Sequence, residues 1–299
     1  MSDHHSHTHA AETVGDRPLL CATLINIGLS IFEFAAGLIS GSVALMADAL
    51  HNTNDAASLL IAYIARKVSR KGADRRYTFG YQRAELIGAM VQLTALIMVG
   101  LYLVYAAIKR FFLPEPLLGG WIMVAAGVAL VVDVLTAWLL WAMSKGSLNV
   151  RAAFLHNLTD AGASMAVLLG GAAIFYMDWI WVDPVLTLGI AGYILWMSLG
   201  LLRQTSSILM EGVPSAVNID EVVAAVEAIP GVVEMHHIHI WELDEKRRAL
   251  EAHIVISEDR SMAELESLKE AVKQLLEARF SIAHSTLEME SAGFKCRER

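Results

Sequence analysis

The chain has 299 residues, of which 56% are hydrophobic and 18% charged, and its mean hydropathy is +0.49. This composition is too apolar for a soluble protein of this length, and apolar runs of about twenty residues recur, as in a polytopic membrane protein. The formal net charge of −8 argues against a nucleic-acid partner. Cys21 and Cys296 lie far apart and outside any Cys-x-x-Cys pair, so neither a disulfide framework nor a thiolate zinc site is expected.

Residues 1–17 are polar and rich in histidine, and we expect them to form a disordered tail. Such a tail either captures metal loosely or contains histidines with no essential role. No cleavable signal peptide is expected, because no short apolar core ends in a small-residue cleavage site.

Residues 18–208 are predicted to form a transmembrane domain of six helices. The apolar segments run over Leu19–Ile39, Val43–Ala65, Ala84–Ile108, Leu118–Met143, Val150–Tyr176 and Val182–Arg203. Positive charges cluster after the second segment, at Arg66, Lys67, Arg70, Lys71, Arg75 and Arg76. The positive-inside rule then places both termini in the cytoplasm, with only Lys109 and Arg110 opposing the trend.

Two of these segments contain a His-x-x-x-Asp pattern, formed by His51 with Asp55 and by His156 with Asp160. Residues i and i+4 lie on one face of a helix, so each segment offers an imidazole beside a carboxylate. Two nitrogens and two carboxylate oxygens in a tetrahedron suit Zn²⁺. A single pair of this kind can merely hydrogen-bond a neighbouring helix, but two identical pairs predict an intramembrane metal site.

Three more acidic residues lie within the predicted spans, namely Glu33, Asp48 and Asp133. Glu33 and Asp133 either line an ion path or pair with a neighbouring helix. Asp48 lies three residues before His51 on the same helix face, so it is either a relay on the exit side or a residue that braces the helix.

Residues 209–292 are predicted to form a cytoplasmic domain, followed by a short tail at 293–299. Apolar runs shorten here and the pattern indicates a helix, two strands, a helix and a strand, at Asn218–Ala228, Val232–Glu242, Ala249–Ser257, Ser261–Ala278 and Ile282–Met289. The order αββαβ suits a small open α+β sandwich with helices on one face of a sheet.

The domain contains five histidines, at His236, His237, His239, His253 and His284. They fall on three predicted strands, so metal binding by a subset is one interpretation and structural packing of the histidines is the other. Regular alternation predicts that His237 and His239 share one face of the first strand and that His236 faces the opposite side.

Longer motifs accompany these residues: Gly41–His51 with Asp55, Tyr77–Glu85, Leu148–Ala152 running into His156 and Asp160, Leu209–Pro214, and Gly231–Trp241. On these motifs the chain resembles the cation diffusion facilitators, and specifically their zinc-transporting branch, over nearly all of residues 17–291. The short loop between the fourth and fifth segments lacks a His-rich insertion, which points to a bacterial-type protein.

The resemblance implies a homodimer in the bacterial inner membrane, in which each six-helix protomer has a ferredoxin-like cytoplasmic domain. It implies export of divalent metal in exchange for protons, with Zn²⁺ as substrate and as regulatory ligand. By motif position, the transport site is matched by His51, Asp55, His156 and Asp160.

The resemblance also implies metal binding at His236, His253 and His284 in the cytoplasmic domain, as in some members of the family. His237 stands where the family usually has Asp, which leaves the ligand set of this domain open. Arg83 and Glu211 flank the predicted domain junction, where they are either an inter-domain ion pair or two unrelated interfacial charges.

The leading hypothesis is therefore a proton-coupled Zn²⁺ exporter that also accepts Cd²⁺, Co²⁺ or Ni²⁺. A membrane metal sensor or a passive zinc channel is the alternative. A zinc hydrolase needs an open metal position and a general base, as in His-Glu-x-x-His, and the sequence lacks this motif, so no enzyme is expected.

Overall fold

The computed structural model describes residues 16–143, 148–244, 247–257 and 261–291. In chain order, they form α1 (Asp16–Ser40), α2 (Val43–Ser69), α3 (Ala84–Phe112), α4 (Gly119–Met143), α5 (Leu148–Met177), α6 (Val182–Leu209), α7 (Ile219–Glu227), β1 (Val232–Glu242), β2 (Arg248–Ile256), α8 (Met262–Phe280) and β3 (Ile282–Ser291). The tails expected at 1–17 and 293–299 lie outside the described residues, except that 16 and 17 belong to α1.

The chain divides into two compact units. One, the helical unit, comprises the described parts of residues 1–60 and 95–198, and the other, the mixed unit, comprises those of 61–94 and 199–299. Helices α2, α3 and α6 contribute residues to both units.

Helices α1–α6 overlap the six predicted apolar segments. Among the described residues, four stretches are long and apolar enough to cross a membrane, with hydropathy between 1.5 and 2.1: Ala84–Phe112, Gly119–Trp138, Asn157–Met177 and Val182–Leu209. Helix α2 is less apolar because polar residues such as Asp48, His51 and Asp55 interrupt it. In α1, the stretch Ile27–Ser40 is apolar within the part of the helix whose side chains the structure describes.

Small side chains dominate where helices α1, α2, α4 and α5 meet. The buried cluster consists of Ala36, Ala44, Leu45, Ile122, Ala125, Ala126, Val167 and Ile174. In lipid, small residues allow helix backbones to approach closely and gain van der Waals contact. Helices α4 and α5 use glycine at two such points: a Cβ on Gly171 would lie 2.9 Å from Ile122 Cγ2, and one on Gly119 would lie 2.7 Å from the Phe175 nitrogen.

The buried carboxylate of Asp183, in the first turn of α6, caps the start of α2. It accepts hydrogen bonds from the backbone N–H groups of Val43 at 3.0 Å and Ala44 at 3.3 Å, and from the Ser42 hydroxyl. The first N–H groups of a helix have no partner within the helix and attract negative charge, so this carboxylate satisfies them away from water. The contact fixes the first turn of α2 against α6.

The αββαβ order predicted for the C-terminal part is confirmed. Its sheet has the order β1-β2-β3, with β1 antiparallel to β2 and β2 parallel to β3. A parallel pair needs a crossover connection, which α8 supplies. The Asn218 side chain caps α7 by accepting a hydrogen bond of 3.0 Å from the Asp220 N–H.

Both helices of this α+β part share one core with the sheet. Val222 and Val226 of α7 pack in the same buried cluster as Val272 and Leu276 of α8 and the strand residues Leu250, Ile254 and Leu287. The core therefore occupies one face of the sheet and leaves the other face for polar side chains.

The close contact between α4 and α5 leads to a first prediction. We expect Gly171→Ala to destabilise the protein by about 1–3 kcal/mol, because the added methyl group meets Ile122 and overpacks the interface. The measurement is the midpoint of thermal unfolding in detergent. Gly192→Ala in α6 is the matched control, since no atom lies within 4 Å of its added Cβ. Equal midpoints for the two variants would contradict this reading of the interface.

Candidate metal sites

His51 and Asp55 lie side by side on α2, one turn apart, as the His-x-x-x-Asp pattern predicts. The distance from His51 Nε2 to Asp55 Oδ2 is 3.7 Å, and the imidazole is buried. A metal ion bound by both atoms at normal Zn²⁺ bond lengths would hold them about 3.3 Å apart in a tetrahedron. The pair is therefore close to the spacing that a shared metal ion requires.

Asp160 of α5 reaches the same imidazole nitrogen from a second helix. Its Oδ1 lies 3.8 Å from His51 Nε2, and the residue is buried. The distances from His51 Nε2 to Asp55 and to Asp160 are both longer than a hydrogen bond. Because they are measured from the same nitrogen, the carboxylates of Asp55 and Asp160 flank a single point beside His51. His156 lies one helical turn before Asp160 on α5, and its side chain lies outside the described residues.

The three other acidic residues of the predicted spans, Glu33, Asp48 and Asp133, each contact a polar group on a different helix. Asn52 Nδ2 donates to Glu33 Oε2 at 3.2 Å, which joins α2 to α1. The Ser164 hydroxyl lies 2.9 Å from Asp133 Oδ2 and 3.4 Å from Asp48 Oδ2, which links α5 to α4 and α2. Through these contacts, Glu33, Asp48 and Asp133 pair with neighbouring helices. A role for them in an ion path stays a prediction.

The sheet of the mixed unit contains a second cluster of metal-ligand types. Ligand atoms of His236, His253 and Glu290 all lie within 4.8 Å of one another. Glu290 Oε1 lies 2.8 Å from His253 Nδ1, and Glu290 Oε2 lies 3.4 Å from His236 Nε2. Although Glu290 is buried, neither its carboxylate oxygens nor the His236 nitrogens make a hydrogen bond of normal geometry with the described residues. Buried polar atoms in this state suit a bound cation.

A β-bulge between His236 and His239 decides which histidines face this cluster. His236 pairs with His253 and His239 pairs with Glu251, so both lie on the face opposite the core. The predicted alternation, with His236 and His239 on opposite faces, is wrong because a bulge inserts an extra residue and shifts the later side chains. His237, with φ of 49°, lies within the bulge, and its ring centroid is 4.7 Å from that of His253.

His284 does not join the cluster in this structure. It is exposed on β3, and its ring meets the edge of Phe79, with centroids 5.7 Å apart.

Phe79 belongs to the loop between α2 and α3, whose turn is organised by Asp74. Hydrogen bonds from the Tyr81 hydroxyl and from two backbone N–H groups hold the pKa of Asp74 below its usual value.

Arg83 and Glu211 approach each other in the mixed unit. Arg83 Nη2 lies 3.1 Å from Glu211 Oε1, so the two charges form an ion pair, and both side chains are partly or largely exposed to solvent. Exposed ion pairs contribute little to the free energy of unfolding. Any importance of this contact therefore comes from where it holds the two residues and not from its strength.

Glu290 is absent from the ligands predicted for this domain, which are all histidines. A signal was nevertheless present: Glu288 and Glu290 alternate on the last strand, and β3 pairs with β2 so that Glu288 is opposite His253. Acidic residues two apart on a strand share a face. The register that brings them to His253 follows from the crossover through α8 and could not be read from the local sequence.

Comparison with protein families gives two matches that together cover most of the chain. Residues 19–210 match the family model described as the cation efflux transmembrane domain. Residues 214–292 match the one described as the cation efflux protein cytoplasmic domain.

Curated proteins similar to this chain are cation transporters by name. The zinc transporter ZitB of Escherichia coli strain K12 is 34% identical, with 97% of this chain and 93% of that protein covered. The cadmium, cobalt and zinc/H(+)-K(+) antiporter of Bacillus subtilis strain 168 is 31% identical, with 96% and 92% covered. The metal cation efflux system protein CzcD of Cupriavidus metallidurans is 32% identical, with 98% and 91% covered.

Among solved structures, the metal-bound C-terminal domain of the CzcD transporter from Cuprividus metallidurans is 36% identical, covers 25% of this chain and 99% of that chain, and has a TM-score of 0.22. That TM-score is too low to support a statement about fold. The two family matches and the full-length relatives carry the conclusion: this chain belongs to the cation efflux family of membrane transporters, the cation diffusion facilitators.

Proposed function

We propose that this protein exports Zn²⁺ from the cytoplasm in exchange for protons, and that His51, Asp55, His156 and Asp160 bind the ion on its way. The observation that supports this most strongly is the convergence of two helices on one nitrogen: His51 Nε2 lies 3.7 Å from Asp55 and 3.8 Å from Asp160. The relatives named for zinc, cadmium and cobalt support the class of cargo.

The proposed ligand set accounts for the choice of metal. Two imidazole nitrogens with two carboxylate oxygens suit Zn²⁺ and tolerate Cd²⁺, Co²⁺ and Ni²⁺, whereas Mn²⁺ and Mg²⁺ prefer sites made only of oxygen. Two carboxylates also balance the charge of a divalent ion. The loaded site is then close to neutral, which lowers the cost of holding an ion among apolar helices.

Proton exchange follows from the chemistry of the same ligands. A neutral imidazole binds metal and a protonated one does not, so metal and protons compete for the site. Histidine changes its charge within the physiological pH range. A site open to the neutral cytoplasm therefore takes up Zn²⁺, and the same site open to a more acidic exterior takes up protons and releases the metal.

We infer that transport proceeds by alternating access, in which the ligand-bearing helices α2 and α5 rock against the other helices. The proposal includes six membrane spans, with residues 18–208 as the membrane domain, residues 209–292 as the cytoplasmic domain and both termini in the cytoplasm. We place the protein in the bacterial inner membrane, surrounded by the lipid bilayer.

The cytoplasmic domain is proposed to dimerise the protein and to bind a regulatory Zn²⁺ through His236, His253 and Glu290. The buried atoms of His236 and Glu290 without hydrogen-bond partners among the described residues support this ligand set. Metal bound here would stabilise one arrangement of the protein over another rather than travel through it. The Arg83–Glu211 ion pair is proposed to tie the two domains together.

The assignment of the transport site predicts the loss of transport when any ligand is removed. We expect Asp160→Ala to abolish zinc flux in proteoliposomes, because three ligands leave an incomplete shell in apolar surroundings. Thr159→Ala is the matched control, since Thr159 is exposed on the same helix turn and its hydroxyl donates to the Leu155 carbonyl, at 3.0 Å, within its own helix. Wild-type flux in Asp160→Ala, with the protein inserted normally, would remove Asp160 from the site.

Proton coupling predicts that the pH gradient sets the rate of export. At a fixed zinc gradient, we expect flux to rise when the compartment that receives zinc is the more acidic one, and to fall when the gradient is reversed. The measurement is zinc flux in proteoliposomes with the pH gradient present, absent and reversed. Equal flux under the three conditions would indicate a zinc uniporter or channel.

The regulatory site predicts that Glu290 and His284 behave differently. In full-length protein that also carries Asp55→Ala and Asp160→Ala, we expect Glu290→Ala to lower the number of zinc ions bound, as measured by calorimetry. His284→Ala should leave that number unchanged, because His284 lies against Phe79 and away from the cluster. With the transport site intact, Glu290→Ala should slow transport without abolishing it. The opposite result, in which only His284→Ala loses zinc, would refute the ligand set.

A further inference from the structure

The helical unit contains an apolar cleft between α1, α2 and α3 with a volume of about 390 Å³. Its apolar lining includes Phe34, Leu38, Met46, Leu50, Tyr102 and Tyr105. From Tyr102 to Lys109 the cleft extends about 10 Å along α3, at 1.5 Å per residue. Tyr102, Tyr105 and Leu38 are each more than 60% exposed, so the cleft is open along its side.

Charge is confined to one end of this cleft, where α3 ends and α2 begins. Arg110 is already engaged: its Nη1 lies 2.7 Å from Glu115 Oε2, and its Nη2 donates to the Gly41 carbonyl. Lys109 also lines the cleft and is exposed, and its side-chain ammonium makes no hydrogen bond or ion pair with another residue in the described part of the chain. Since Glu115 pairs with Arg110, Lys109 is the one charged residue of the cleft lining that has no ion-pair partner within that lining.

We propose that this cleft binds an anionic membrane phospholipid, with an acyl chain along the apolar wall and the phosphate beside Lys109. A long apolar slot with a single ammonium group at its end matches a molecule that has a hydrocarbon chain and a negative headgroup. A soluble anion would leave the apolar wall uncovered, and a neutral lipid would leave the ammonium unpaired. The proposal concerns lipid binding alone and does not depend on zinc transport.

The site also accounts for a feature that the topology does not explain. Lys109 and Arg110 are the positive charges that oppose the positive-inside trend, and here Arg110 secures the turn after α1 while Lys109 meets the lipid phosphate.

Val43, Met46 and Leu50 of α2 form part of the wall, so a bound lipid packs against the helix that carries His51 and Asp55. Lipid composition would thereby influence the position of that helix.

The test compares phosphatidylglycerol with phosphatidylcholine of the same acyl chains, added to the full-length protein in detergent. Lipid affinity is measured by native mass spectrometry and stability by the thermal unfolding midpoint. We expect phosphatidylglycerol to bind the wild type more tightly and raise the midpoint more. Lys109→Gln should weaken phosphatidylglycerol binding about fivefold and leave phosphatidylcholine binding unchanged. Lys67→Gln, at the far end of α2, is the control and should keep the preference.

A second variant tests whether the acyl chain occupies the cleft. Ala106→Leu places extra volume in the wall and should weaken binding of both lipids while zinc flux and monodispersity persist. Equal binding of the two lipids by the wild type, or an unchanged preference in Lys109→Gln, would overturn the proposal. Stabilisation by glycerophosphoglycerol without acyl chains, equal to that by the lipid, would show a site for phosphate only. A change of oligomeric state in Ala106→Leu would instead assign the cleft to a second copy of this chain.

Discussion

The cost of placing charge among apolar helices governs this molecule. The imidazole of His51 is buried on α2, where the half-exposed Asp55 of the same helix and the buried Asp160 of α5 approach one nitrogen, so metal-ligand atoms from two helices meet at one point. An isolated carboxylate in such surroundings is strongly unfavourable, whereas a carboxylate that can share a cation or a proton is not. The proposed transport site needs both helices, since neither α2 nor α5 alone offers four ligands.

The packing around this point holds α2 and α5, the helices of the proposed transport site, against their neighbours. Asp183 caps the first turn of α2, and glycines at 119 and 171 let α4 and α5 approach closely. Polar contacts from Glu33 to Asn52 and from Ser164 to Asp133 add hydrogen bonds between helices, where an unmade bond has no water to replace it. Small residues and a few hydrogen bonds between helices therefore act together with large buried side chains such as Leu45 and Ile122.

The sheet of the mixed unit also gathers metal-ligand side chains from separate elements, here on the face opposite its apolar core. One face is apolar and packs against α7 and α8, which frees the other face for histidines and acidic residues. The bulge at His237 turns His236 and His239 to that face, and Glu290 arrives from a parallel strand. Like the intramembrane site, the cluster is assembled from separate elements, so its metal affinity would depend on the arrangement of the whole domain.

The sequence by itself determined the properties that depend on the spacing of residues within one helix or one strand. Helical periodicity placed His51 beside Asp55, and the apolar and β-branched patterns predicted α1–α6 and the αββαβ order. Two like motifs also predicted that Asp160 meets His51. Only the tertiary structure decided the other contacts between elements: Glu290 in place of His284, the bulge that reverses the face of His236 relative to His239, and the cleft beside Lys109. Register, bulges and helix contacts arise from packing over many residues, and no local pattern encodes them.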